Sequence, residues 1–63
     1  MKLIKAMKMI DSNTSKPVWI NPQNVQYFEE ISFGGKMRTE VSFYRDGFVI
    51  EESTEWLALE MGS

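Results

Sequence analysis

The side chains of this chain that could carry chemistry are carboxylates and amines, because its 63 residues include no histidine and no cysteine. A serine or cysteine nucleophile would lack its imidazole base, and zinc or iron would lack their usual nitrogen and sulfur ligands. Adjacent carboxylates such as Glu29 and Glu30 could act as acid and base only in a dry cleft. So short a chain can hardly enclose one, so we expect no enzyme, no cofactor and no small-molecule substrate.

A second group of carboxylates lies near the end of the chain. Oxygen ligands of this kind suit a hard cation such as Mg²⁺ or Ca²⁺. The sequence contains no Asp-rich calcium loop, and a glutamate in the first turn of a helix is already explained by the helix dipole. We therefore predict no metal site at these residues, which are Glu51, Glu52, Glu55 and Glu60.

Charge is unevenly distributed along the chain. Residues 1–28 carry four lysines and one aspartate, whereas residues 29–63 carry three basic and eight acidic residues, for a net charge of −2. Lysines beside aromatic rings could bind nucleic acid, with amines on phosphates and rings on bases. Because nucleic-acid-binding domains are usually strongly basic, this is the alternative function and not the first one. Its candidate residues are Lys2, Lys5, Lys8, Lys16 and Trp19.

Aromatic side chains favour a protein partner. The chain has two tryptophans, two tyrosines and four phenylalanines, and exposed aromatic residues and methionine are enriched at protein interfaces. A domain this small buries only about 60% of its unfolded surface, and this one has no disulfide to compensate. We therefore predict a non-enzymatic interaction protein, a homo-oligomer or a binder of another protein, that uses a sheet edge or a C-terminal helix face. Its candidate interface residues are Phe33, Tyr44, Trp56, Leu57 and Met61.

The clearest structural pattern is an alternation of apolar and polar residues. It places Met37, Val41 and Phe43 on one face of a strand. Asp46-Gly47 then predicts a tight hairpin turn, because both central residues of a type I′ turn need positive φ. The residues predicted for the opposite, polar face of the strand are Lys36, Arg38, Glu40, Ser42 and Tyr44.

The rest of the chain predicts further strands and one helix. Residues 25–32 and 48–52 are rich in β-forming residues, and residues 21–24, which include Pro22, read as a turn. The first ten residues fit a basic amphipathic helix or a strand. We favour a hairpin over residues 2–20, with its turn at 11–17, because an isolated ten-residue helix is marginal.

The last ten residues predict a helix. Ser53 or Thr54 is suited to the N-cap, Glu55 to the first turn, and Gly62 to the stop after about Met61. Its apolar residues require packing on the sheet or on another chain. The chain is thus predicted to be one domain, residues 1–63, of mostly β or α+β class. It would form a small antiparallel sheet of four to five strands, a meander of hairpins, with a short C-terminal helix.

These elements resemble the small bacterial FlbD family, also called swarming motility protein SwrD. The likeness covers nearly the whole chain and rests on a Lys-rich β start, the INPQNV segment at 20–25, Glu29, a glycine turn at Gly47, and Glu52-Ser53 before a helix with Glu55. The first turn is longer than is usual in the family, and the helix ends early. The resemblance implies a cytosolic accessory protein linked to flagellar function, without catalytic residues. In size and style the chain is also similar to short phage and prophage proteins that bind a host or phage component.

Location follows from two absences in the sequence. No apolar run approaches the roughly 20 residues needed to cross a bilayer. Lys2 and Lys5 interrupt the start of the chain too early for the apolar part of a signal peptide. The expected location is the cytoplasm.

Overall fold

A computed structural model describes residues 2–62 of the chain. These residues form five strands, one 3₁₀ helix and one α-helix, which confirms the predicted α+β class with a mostly β architecture. Met1, in the segment that fits a helix or a strand, and Ser63 lie outside the described residues. The elements in chain order are β1 (Ile4–Asp11), β2 (Thr14–Ile20), the 3₁₀ helix (Pro22–Asn24), β3 (Tyr27–Phe33), β4 (Lys36–Ser42), β5 (Gly47–Ile50) and α1 (Thr54–Gly62).

All five strands of the described residues form one antiparallel sheet in the order β2-β1-β5-β4-β3. The predicted meander is therefore interrupted: a β1–β2 hairpin is joined to a three-stranded unit through the pairing of β1 with β5. The segment around the 3₁₀ helix carries the chain from one edge of the sheet to the other. Strands β2 and β3 are consequently the two edges.

The first segment is a strand, as we favoured, because Ile4 and Ala6 alternate into the core. Its turn is shorter than predicted and lies at residues 12–13, where the N–H of Asn13 donates to Asp11 Oδ1 at 2.8 Å. This bond and the Thr14 hydroxyl hold the pKa of Asp11 below its ordinary value. Pro17, predicted as part of the turn, lies within β2, where an edge strand tolerates it.

The hairpin predicted around Asp46-Gly47 is confirmed as β4–β5, but the type I′ turn predicted at that dipeptide is wrong. The tight glycine turn is instead at Gly34-Gly35, between β3 and β4. Gly34 and Gly35 have φ angles of 64° and 79°, the positive values among residues 2–62. Gly47 instead begins β5 after a four-residue loop, paired with Ser42. A Cβ at Gly47 would lie 2.6 Å from the carbonyl oxygen of Val41, so close strand approach explains this glycine.

Helix α1 packs on one face of the sheet, which we call the helix-side face. The Ser53 hydroxyl accepts the N–H of Trp56 at 3.1 Å, which confirms the predicted N-cap. Leu57 is fully buried among sheet residues, and Trp56 and Met61 pack beside it. The core consists of Ile4, Ala6, Ile20, Val41, Ile50 and Leu57.

Candidate functional site at the open edge of the sheet

The two edges of the sheet offer different backbone groups to a partner. On β2, Pro17 is opposite Met7 of β1. The Met7 carbonyl accepts the N–H of Glu51, and the Met7 N–H donates to the Glu52 carboxylate. The N–H and C=O of Met7 therefore both point away from β2. Met7 and Pro17 are therefore a non-hydrogen-bonded pair of the antiparallel ladder, and the backbone of Pro17 faces the open edge of β2. Since proline has no N–H, this edge lacks a donor near its centre.

The open edge of β3 has no such gap. Gly34-Gly35 forms a two-residue turn with two positive φ angles, flanked by the pair Phe33 and Lys36. The pair that flanks such a turn is hydrogen-bonded, and bonded and non-bonded pairs then alternate along the hairpin. Phe28, Glu30 and Ser32 therefore direct their N–H and C=O groups away from β4. None of these backbone groups has a hydrogen-bond partner within residues 2–62.

Acidic side chains line this edge. Glu29 and Glu30 are both exposed, and they point to opposite faces of the sheet. Glu40 of β4 is the direct cross-strand partner of Glu29, which places two carboxylates side by side on the outer face. Like charges in this arrangement are destabilising, and the described residues supply no cation for either.

Two tyrosines stand at the start of β3. Tyr27 is 57% exposed and Tyr44, in the loop between β4 and β5, is 78% exposed. Both line a hollow of about 370 Å³, which shares Tyr44 and Phe43 with a larger one of about 570 Å³ beside the 3₁₀ helix. The Arg45 guanidinium lies 5.6 Å from the centre of the Tyr44 ring. Tyrosine and arginine in such a position are typical of protein-binding surfaces.

The five predicted interface residues fall into two groups. Tyr44 is exposed, and Phe33 is half-buried at the far end of β3. Trp56, Leu57 and Met61 pack on the chain's own sheet, with Leu57 fully buried. Leu57 therefore offers no surface to a partner, whereas Trp56 and Met61 are half-buried and keep part of theirs. The sheet edge in addition offers open backbone groups.

The lysines of the nucleic-acid alternative do not form one patch. Lys5 and Trp19 are paired on the outer face, with the Lys5 amine 5.9 Å from the Trp19 ring centre. Lys8 and Lys16 are paired on the helix-side face, where the Lys8 amine lies 4.9 Å from the Phe48 ring centre. Lys2 precedes β1. The basic residues are thus divided between the two faces of the sheet.

The C-terminal carboxylates serve structural bonds. Both oxygens of Glu52 accept the N–H of Met7, at 3.1 and 3.2 Å, and Glu51 Oε2 accepts the Ser15 hydroxyl at 3.0 Å. Within residues 2–62, no three carboxylate, imidazole or thiol groups are grouped so that they could hold a metal ion. Sequence reasoning missed the role of Glu52 and of Pro17, because both depend on which strand lies beside β1.

Arg38 was predicted on the polar, solvent-facing side of β4 and is instead only 8% exposed. Its Nε donates to the Phe33 carbonyl at 3.1 Å and its Nη1 to the Met9 sulfur at 3.0 Å. The described residues give it no carboxylate partner. Burying a charge without a counter-charge is unfavourable, so the guanidinium of Arg38 lowers the stability of the folded protein.

Replacing Arg38 by methionine should therefore leave the protein equally stable or more stable, by about 1 kcal/mol, because the packed stem is kept and the charge is removed. Urea unfolding of the two proteins measures the difference. Arg38→Ala, which removes the stem as well, is the comparison and should be less stable than Arg38→Met. A methionine variant that loses more than about 2 kcal/mol would show that the guanidinium bonds stabilise the fold.

Comparisons with protein-family models, with curated proteins and with solved structures found no match to this chain. The FlbD resemblance therefore stays an expectation from the sequence. No helix within residues 2–62 is long and apolar enough to span a membrane. The site's own geometry is consequently the basis for a functional proposal.

Proposed function

We propose that this chain is a non-enzymatic interaction module of the cytoplasm that binds an extended segment of another protein along the open edge of β3. Tyr27 and Tyr44 would contact the same partner at one end of that edge. The single observation behind the proposal is the run of outward backbone groups at Phe28, Glu30 and Ser32, which are unpaired and next to exposed aromatic rings. Sheet edges of this kind bind peptides by adding a strand.

The charge pattern supports another protein over a second copy of this chain. Two β3 edges paired antiparallel would bring the Glu29-Glu30 pair of each copy together, and like charges opposite each other are destabilising. Pairing β3 with the β2 edge of a second copy would leave one hydrogen bond unmade, because Pro17 has no N–H to donate. The accessory role implied by the FlbD likeness agrees with this proposal.

A photo-crosslinking amino acid in place of Ser32 tests the proposal in cells that naturally carry the gene. We expect a discrete crosslink to one protein, because Ser32 borders the proposed partner strand. The same amino acid in place of Lys16, an exposed residue of β2 at the opposite edge of the sheet, is the matched control and should give none. The Ser32 crosslink should also disappear in Glu30→Pro, which removes one outward donor.

Equal crosslinking from both positions, or none from Ser32, would count against the proposal. Sedimentation velocity on the purified chain tests whether the β3 edge instead binds a second copy of the chain. We expect a monomer over a wide concentration range, and a stable dimer would redirect the site to self-association. Circular dichroism of Glu30→Pro must match that of the parent chain for its loss of crosslinking to be informative.

A further inference from the structure

We infer that the partner segment for the β3 edge is basic, with two adjacent lysine or arginine residues opposite Glu29 and Glu30. This inference rests on the proposed function and names the chemistry of its partner. It follows from the charges that the edge presents and from the absence of any cation that neutralises them within residues 2–62.

The geometry of the edge requires two adjacent cations. Glu29 shares the outer face with Glu40, whereas Glu30 is the partner of Thr39 and lies on the helix-side face. Neighbouring residues of an added strand also point to opposite faces. One cation would therefore meet the Glu29–Glu40 pair and the next would meet Glu30.

The nearby basic residues of the chain do not satisfy these carboxylates. Arg38 is on the outer face two residues from Glu40, but its guanidinium is bonded to the Phe33 carbonyl and the Met9 sulfur. Lys36 lies at the turn, four residues along β4 from Glu40, and Arg45 lies against the Tyr44 ring. An incoming cation would thus remove the like-charge repulsion that the isolated chain retains.

The flanking residues of the partner follow from the two ends of β3. Tyr27 and Tyr44 provide exposed rings at one end, and half-buried Phe33 lies at the other. β-branched residues on either side of the two cations would contact these rings and favour the extended conformation. The predicted ligand is therefore a short β-forming segment with a basic centre.

Two synthetic nine-residue peptides of valine and threonine test this, one with two central lysines and the other with two central glutamates. Fluorescence anisotropy with labelled peptide gives the affinities, and amide hydrogen exchange gives the location. We expect the lysine peptide to bind about tenfold more tightly than the glutamate peptide, and to slow exchange at Phe28, Glu30 and Ser32. Added salt should reduce the difference.

A charge-reversed variant of the chain provides the second test of this inference. Glu29→Lys with Glu30→Lys leaves the core untouched, since both side chains are exposed, and it should prefer the glutamate peptide. If both peptides bind the parent chain equally at β3, the inference of a basic partner is wrong, whereas the proposed binding of an extended segment at this edge is supported. If neither binds, and Ser32 also fails to crosslink in cells, the proposed function falls with it. A cell partner crosslinked at Ser32 without basic residues would overturn this inference alone.

Discussion

Leu57→Ala is expected to unfold a large fraction of the protein at room temperature. Leu57 is the one fully buried residue that α1 contributes to the core, among the residues described. Truncating a buried leucine costs about 2–5 kcal/mol, because contacts are lost and a cavity remains. A domain of this size gains only roughly 3–5 kcal/mol from its core. Thermal unfolding followed by circular dichroism should show a broad transition at much lower temperature.

Leu59→Ala is the matched control for this prediction. Leu59 lies two residues further along the same helix and is 74% exposed, so the same truncation removes little buried surface. Alanine also has the higher helix propensity. The control should unfold within about 0.5 kcal/mol of the parent chain. Similar losses in both variants would mean that α1 does not pack on the sheet as described.

Glu52→Ala is expected to cost about 1–3 kcal/mol, because it leaves the N–H of Met7 without an acceptor inside the protein. This N–H lies at the junction of β1 and β5, where Lys8 and Ile50 are the paired residues and the N–H of Glu51 donates to Met7 at 2.8 Å. The junction joins the β1–β2 hairpin to the rest of the sheet. The Glu52 carboxylate thus takes the place of a backbone carbonyl just after β5 ends.

Glu52→Gln separates this role from charge. Glutamine keeps one side-chain oxygen that can accept the Met7 N–H, so it should lose less than about 1 kcal/mol. Urea unfolding gives the two free energies, and hydrogen exchange of the Met7 amide should be faster in Glu52→Ala than in Glu52→Gln. If the glutamine variant is as unstable as the alanine variant, the acceptor is not what the junction requires.

Thr39 shows why part of this region was unpredictable. It is fully buried, and its hydroxyl donates to the Glu52 carbonyl at 2.8 Å and is 3.2 Å from the Thr54 hydroxyl. The alternation of the strand already places it on the same face as Val41. Only the position of the helix start over β4 supplies the partners that its buried hydroxyl needs.

Turn assignments depended on similar information. The Gly34-Gly35 and Asp46-Gly47 dipeptides both suit a tight turn, and local propensity favours the second. The β3–β4 hairpin turns at Gly34-Gly35, whereas the β4–β5 hairpin turns just before Gly47, because Ser42 pairs with Gly47 and the N–H of Phe43 donates to the Asp46 carbonyl at 2.7 Å. Register is set by which side chains reach the core, and not by the turn residues alone.

Local physics explains what the sequence determined by itself. Alternation defined the strands, Ser53 and Gly62 marked the ends of the helix, and the missing histidine and cysteine excluded whole classes of catalytic and metal sites. These properties involve residues close in sequence or simple composition. They led to the α+β class with an antiparallel sheet and a C-terminal helix.

The tertiary structure alone decided which surface is open. Strand order made β2 and β3 the edges, and the hydrogen bonds of Met7 turned Pro17 toward solvent on one of them. Packing of α1 withdrew Leu57 from the predicted interface, and pairing of β4 with β3 placed Glu40 beside Glu29. Each result depends on contacts between residues distant in sequence, which a one-dimensional pattern does not contain.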